Sequence, residues 1–284
     1  MLASSRAARC AGLGALIAAC CAGTARAQAN NQNRTVTVNY VYAAQIGIGS
    51  YDLSGLSVRI FTLPLSDTFD VGPNGGWRLK VKLPINLGLY DFNAVDVDGT
   101  RISVHQQTLA LIPGVELQIP VTDQWTLKPL ADFGAGRLLQ SPGTAAYIYS
   151  AGVKSALTLI RGTWNLTLGN AVIYAGDQAF GNGGGERYLV TETGIELRRS
   201  LGIDIGGFRP DLALYGIGYF YPNELEFTRF LQEPLRIRNQ IEFGVTLGSA
   251  EPFQLWTFQN PRIGIGYVFG GGLSVLRVSF GFPF

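Results

Sequence analysis

Between residues 77 and 89 apolar and polar side chains alternate without a break. Trp77, Leu79, Val81, Leu83, Ile85, Leu87 and Leu89 take the odd positions, and Arg78, Lys80, Lys82, Pro84, Asn86 and Gly88 the even ones. Successive residues of a strand point to opposite faces, so this segment reads as a strand with one apolar face and one basic, polar face. A helix would scatter the three cations around its surface. The pattern recurs from Val36 to Ile48, from Leu235 to Leu247, from Ile263 to Phe269 and from Leu276 to Phe284. Twelve candidate strands follow, near 34–48, 54–63, 76–91, 104–119, 124–137, 145–159, 162–175, 186–199, 211–221, 234–248, 261–270 and 273–284. The alternation is broken in 54–63, 145–159 and 211–221.

Several of these strands are longer than the five or six residues common in globular sheets, and they match the roughly 9–11 residues of a tilted membrane strand. A soluble barrel or sandwich would turn the apolar face to its core, whereas a membrane barrel turns it to lipid. Composition separates the two. Only 15% of the 284 residues are charged and 47% are apolar, against roughly 25% charged in soluble domains. The expected fold is therefore all-β, a closed antiparallel transmembrane barrel of about 12 strands. Closure spares the backbone unpaired N–H and C=O groups in hydrocarbon.

Residues 1–27 read as a signal peptide. Arg6 and Arg9 precede the apolar stretch 11–22, and Ala25-Arg26-Ala27 supplies small residues for cleavage before Gln28. An alternative cut at Cys20 resembles a lipoprotein box. Residues 28–284 would then be the barrel domain. Cleavage at Ala27 removes Arg6, Arg9 and Arg26 from 22 basic residues and none of the 20 acids, leaving 19 against 20. It also removes all three cysteines, Cys10, Cys20 and Cys21, and leaves His105 as the one histidine. No disulfide framework, metal or cofactor is expected. The balanced charge argues against nucleic acid as a partner.

If the chain starts in the periplasm, Trp77, Trp125, Trp164 and Trp256 fall near the starts of outward-running strands, at the periplasmic interface. Tyr90, Tyr147, Tyr149, Tyr174, Tyr219 and Tyr221 fall toward the outer rim. Short turns at 121–124 and 160–163 suit the periplasmic side. The long connections 64–75, 200–210 and 249–260 do not.

The last strand resembles the signature of bacterial outer-membrane β-barrel proteins: Leu276, Val278, Phe280, Phe282 and Phe284 stand at every second position. The resemblance implies outer-membrane lipid as surroundings, a Gram-negative outer membrane as location, and recognition of these five residues by the barrel-assembly machinery. The strand count and length also resemble solitary autotransporter barrel domains. Only residues 28–33 precede the first candidate strand, so passenger secretion is not expected.

On the same inward parity lie Arg78, Lys80, Lys82, Lys128, Arg198, Arg236, Arg238 and Arg262, with Arg59, Lys154 and Arg277, against Glu116, Asp132, Glu196, Glu242 and Glu192. This set predicts a net-basic lumen, either a narrow pore for a small anionic solute or a structural barrel filled by ion pairs. Catalysis is not expected. One alternative is lipid hydrolysis by Ser103 and His105, two residues apart on one strand face, although the families concerned place His before Ser. Another is a receptor or adhesin role through the outer loops. The Asp96–Gly99 turn lacks the later ligands of a calcium loop.

Overall fold

A computed structural model describes residues 49–53, 56–72, 76–95, 101–140, 145–180, 185–206, 208–227, 235–250, 254–255, 258–259, 262–280 and 282–284. The signal peptide, candidate strand 34–48, Asp96–Gly99 and Trp256 lie outside them. The wall is built from β1 (Gly49–Leu53), β2 (Leu56–Val71), β3 (Trp77–Val95), β4 (Arg101–Leu111), β5 (Gly114–Pro120), β6 (Trp125–Leu138), β7 (Ala145–Arg161), β8 (Trp164–Ala179), β9 (Arg187–Ser200), β10 (Pro210–Phe227), β11 (Leu235–Ser249), β14 (Ile263–Gly270) and β15 (Leu273–Ser279). A small separate hairpin, β12 (Gln254–Leu255) with β13 (Phe258–Gln259), lies between β11 and β14.

All pairings in the wall are antiparallel between neighbours along the chain, and β1 pairs with both β2 and β15. The ladder therefore returns to its start and leaves no free edge. β4 and β5 are one stave interrupted at Ile112-Pro113, since both pair with β3 and β6 in one continuous register. Pro113 has no N–H to give the ladder. Counted this way, the described wall has the twelve staves expected from the alternation.

The two rims differ. One, the tight-turn rim, has the short connections 121–124 and 162–163 and the strand ends Val71 and Trp77, Ser200 and Pro210, and Ser249 and Ile263. β2 runs on to Val71, so the long connection expected at 64–75 is only 72–76. The opposite rim, the loop rim, holds the strand ends Val95 and Arg101, Leu138 and Ala145, Ala179 and Arg187, and Phe227 and Leu235. It also carries the turn Gly271-Gly272, whose φ angles of 59° and 80° suit a two-residue turn with both central residues left-handed. Residues 222–227 form the end of β10. A register shift between Phe220 and Leu225 accommodates it, with Glu224 at φ 48°.

The apolar face points outward on every long stave. Phe61, Leu83, Phe133, Val153, Val172, Ile195, Leu214, Phe243 and Ile265 are all exposed while their sequence neighbours turn inward. This sidedness rejects a soluble barrel, whose apolar face would be hidden. Trp77, Trp125 and Trp164 stand exposed at the tight-turn rim. The Trp125 indole donates to Ser155 Oγ at 2.8 Å, and the Arg199 guanidinium lies 4.9 Å from the Trp164 ring. Toward the loop rim Tyr147 contacts Phe133 and Phe180, with ring centres 5.7 and 4.2 Å away. These are the two aromatic girdles of a membrane barrel.

Candidate functional site

The interior has two layers. Toward the tight-turn rim it is charged. Lys82 Nζ lies 2.6 Å from Asp132 Oδ1, and Ser150 Oγ donates to Asp132 Oδ2 at 2.7 Å. Glu116 accepts from Gln118 at 3.2 Å and sits in the field of Lys154, Lys128 and Lys80. On the far wall Arg262 Nη1 reaches Asp211 Oδ1 at 2.6 Å and its Nη2 donates to Thr246 at 3.1 Å. Arg198 stands 3.9 Å from the other Asp211 oxygen. Glu196 lies in the field of Arg262 and Arg198.

Glu242 is the most enclosed of these groups, at 0% exposure. Its Oε1 lies 2.7 Å from Arg277 Nε and accepts the Tyr215 hydroxyl at 2.8 Å, and its Oε2 accepts the Tyr219 hydroxyl at 2.5 Å. Gly244 and Gly266 pair across β11 and β14, and the Tyr215 ring lies over them. A Cβ on either would collide with it.

Toward the loop rim the interior is apolar. Ile60, Leu138, Ile148, Ile173, Tyr188, Val190, Tyr221, Ile237, Val268, Leu273 and Val275 pack together inside the wall. A cavity of ≈ 220 Å³ lies at the boundary, between residues such as Ile148, Ile173 and Val190 on one side and Lys82, Lys154, Glu192 and Arg277 on the other.

Lys80, Lys82, Glu116, Lys128, Asp132, Glu196, Arg198, Glu242 and Arg262 lie on the lumen side of the wall, in separate groups. Arg78 is exposed at the tight-turn rim, at the mouth of this layer. Arg236 and Arg238 are corrections: both are exposed on the outer side near the loop rim. Arg236 pairs with Glu226 at 2.9 Å, and the Arg238 guanidinium lies 5.8 Å from the Phe220 ring. The cause is the irregularity opposite Phe220. Gln240 and Ile237 both face inward, three residues apart, so parity flips between them. Arg59 also points outward, because Ile60 takes the inward position. Tyr219 and Tyr221 face the lumen rather than the rim. The net-basic lumen shrinks accordingly. Among the described residues Lys80, Lys82, Lys128, Lys154, Arg198, Arg262 and Arg277 meet Glu116, Asp132, Asp177, Glu192, Glu196, Asp211 and Glu242, which is a balance.

The outer-membrane signature is also redistributed. Leu276, Val278 and Phe280 face outward and are exposed, but β15 ends at Ser279. Phe282 and Phe284 turn into the lumen. Pro283 cannot donate to a ladder, so the strand pattern stops short of the alternating sequence. Sequence reasoning missed Asp211, which sits at the inner start of β10, and the tyrosine clamp on Glu242. Its Tyr215 and Tyr219 read as ordinary aromatics in a segment of broken alternation. The side chains of Ser103 and His105 lie outside the described residues.

The closed ladder, the outward apolar belt and the ion-paired interior define an integral β-barrel membrane protein of the outer-membrane type. No protein-family model matches the chain, and no curated protein sequence does. Among solved structures it is similar to the translocator domain of autotransporter NalP from Neisseria meningitidis, at 14% identity and a TM-score of 0.59, over 81% of this chain and 82% of that one. It is also similar to the beta domain of the Bordetella autotransporter BrkA, at 12% identity and a TM-score of 0.48, over 82% of this chain and 96% of that one. A third similarity is to the outer membrane transporter YddB from Escherichia coli, at 10% identity and a TM-score of 0.30, over 75% of this chain and 34% of that one. The NalP likeness establishes an autotransporter-type barrel fold.

Proposed function

We propose that this is a non-catalytic barrel of the Gram-negative outer membrane, a structural barrel or narrow pore whose resting interior is closed. The observation that carries this is the opposed sidedness of the wall: lipid-compatible residues outside, and inside an ion-paired layer stacked on an apolar one. Much of the lumenal charge is paired. Lys82 is held by Asp132, Arg277 by Glu242 and Arg262 by Asp211, which argues against a basic file dedicated to an anionic solute. The surrounding partner is outer-membrane lipid. The barrel-assembly machinery would read Leu276, Val278, Phe280, Phe282 and Phe284 before the barrel closes, while all five are still accessible. The Neisseria neighbour is a translocator domain. Translocation is not extended to this chain, whose described interior is filled by its own side chains.

Planar-bilayer recording of purified protein tests the reading. The expected result is a membrane that stays silent, or shows only rare steps of small conductance without anion preference. A steady, wide, anion-selective conductance would overturn it. In parallel, hydrolysis of lipid that disappears in Ser103→Ala would overturn the non-catalytic assignment.

A further inference from the structure

The three residues Phe282, Pro283 and Phe284 leave the wall at β15 and cross the lumen. β15 is bounded by β14 and β1, yet the contacts of this segment are on β7, β8, β9 and β10. The Phe284 ring lies against Gly169 of β8 and Gly194 of β9, which are direct partners in the ladder. A Cβ on either glycine would meet that ring. The paired glycines therefore form a flat recess in the wall, and one phenyl ring fills it. Phe282 packs between Phe284, at 4.9 Å between ring centres, and Tyr215, at 6.2 Å. Lys154 on β7 donates its ammonium to the Pro283 carbonyl at 2.7 Å. Phe284 retains 8% exposure, as enclosed as a core residue.

Phe284, with Phe282 packed beside it, joins the apolar cluster of the interior at the height of the ion pairs. The two rings neither extend the ladder nor cover lipid. From these contacts we propose that Phe282–Pro283–Phe284 is a built-in stopper, seated in the Gly169–Gly194 recess and latched by Lys154, which shuts the barrel below the cavity. The stopper rests on the membrane-barrel reading above and adds the device that holds such a barrel closed. Release needs no change in the wall: breaking the Lys154 contact and withdrawing one ring from a shallow recess frees the segment to leave the lumen.

Cross-linking tests this in the full chain with Cys10, Cys20 and Cys21 changed to serine. An ideal Cβ on Gly169 lies 2.7 Å from the Phe284 Cβ. A cysteine pair there needs only a small adjustment to reach the roughly 3.5–4.5 Å of a disulfide. In the outer-membrane fraction, Gly169→Cys with Phe284→Cys is expected to form the bridge. Leu168→Cys with Phe284→Cys, which puts the first thiol on the outer face, is not. Reducing the Gly169–Phe284 bridge is expected to raise the open probability in bilayers at least tenfold, and Lys154→Met without any bridge to do the same. A membrane-inserted barrel that bridges at Leu168, or at neither position, overturns the stopper while leaving the barrel reading intact. A bridged protein that conducts as well as the reduced one also overturns it. Recovery of the parent chain with Phe284 intact only in the soluble fraction overturns both.

Discussion

Phe243 and Ile263 provide the sharpest test of which solvent the wall meets. Both are apolar, on the outer face and exposed in the isolated chain, Phe243 at 59% and Ile263 at 58%. In water, replacing an exposed apolar residue by arginine changes stability by about ±0.5 kcal/mol. In a bilayer the cost depends on depth, at roughly 2–4 kcal/mol near the midplane and 0–1 near the interface. Phe243 sits in the middle of β11, between Ile241 and Val245 on the same face. Ile263 is the first residue of β14, at the tight-turn rim. Phe243→Arg is therefore expected to cost about 2–4 kcal/mol and Ile263→Arg no more than about 1. The measurement is equilibrium urea unfolding of the vesicle-refolded protein, followed by the emission of its four tryptophans. Equal, near-zero costs at the two sites would refute a lipid-facing wall. Equal large costs would refute the assigned depth.

Three further outcomes follow from the interior and the loop rim. Glu242→Ala should destabilise by about 3–5 kcal/mol, because it removes the enclosed carboxylate from beside the Arg277 guanidinium and from the Tyr215 and Tyr219 hydroxyls. Glu242→Leu combined with Arg277→Met should recover most of that loss in the same urea assay. Asp211→Asn should weaken the Arg262 contact but keep a hydrogen-bond acceptor, so its cost should fall clearly below that of Glu242→Ala; a larger cost would contradict the ranking by enclosure. At the loop rim, burial and the neighbouring carboxylates of Asp177 and Glu226 push Glu186 up to about 7. A carboxyl raised on folding binds its proton more tightly in the folded state, so stability should fall as pH rises from its ordinary range through about 7. Glu186→Gln should flatten the pH dependence of the urea midpoint between pH 5 and 8, and an unchanged slope would exclude Glu186 as its source.

Much of the wall was legible because alternation is a strong signal wherever the two faces meet different solvents. β3 is the clearest case: Leu79 to Leu89 outside, Lys80 and Lys82 inside. The signal fails where both faces are apolar. Ile148, Ile173 and Val190 look inward, while Tyr147, Val172 and Leu189 lie on the opposite face. In sequence such stretches are unbroken apolar runs that carry no sidedness. The very breaks in alternation near 145–159 and 211–221 marked the apolar inner layer and the Tyr215–Tyr219 clamp. Arg236 and Arg238 were misplaced because a one-residue slip reverses every side chain beyond it. Phe282 and Phe284 were misplaced because alternation continues in the sequence past the point where the ladder stops. Asp211 could have been suspected only from its neighbours in space, since nothing local distinguishes an acid at a strand start from a solvated one.

In the upper bore, isoleucines, valines and leucines line the inside of a wall whose outside is apolar as well, with the Asp177 carboxylate set among them. An ion reaching that height would trade most of its hydration for a hydrocarbon lining.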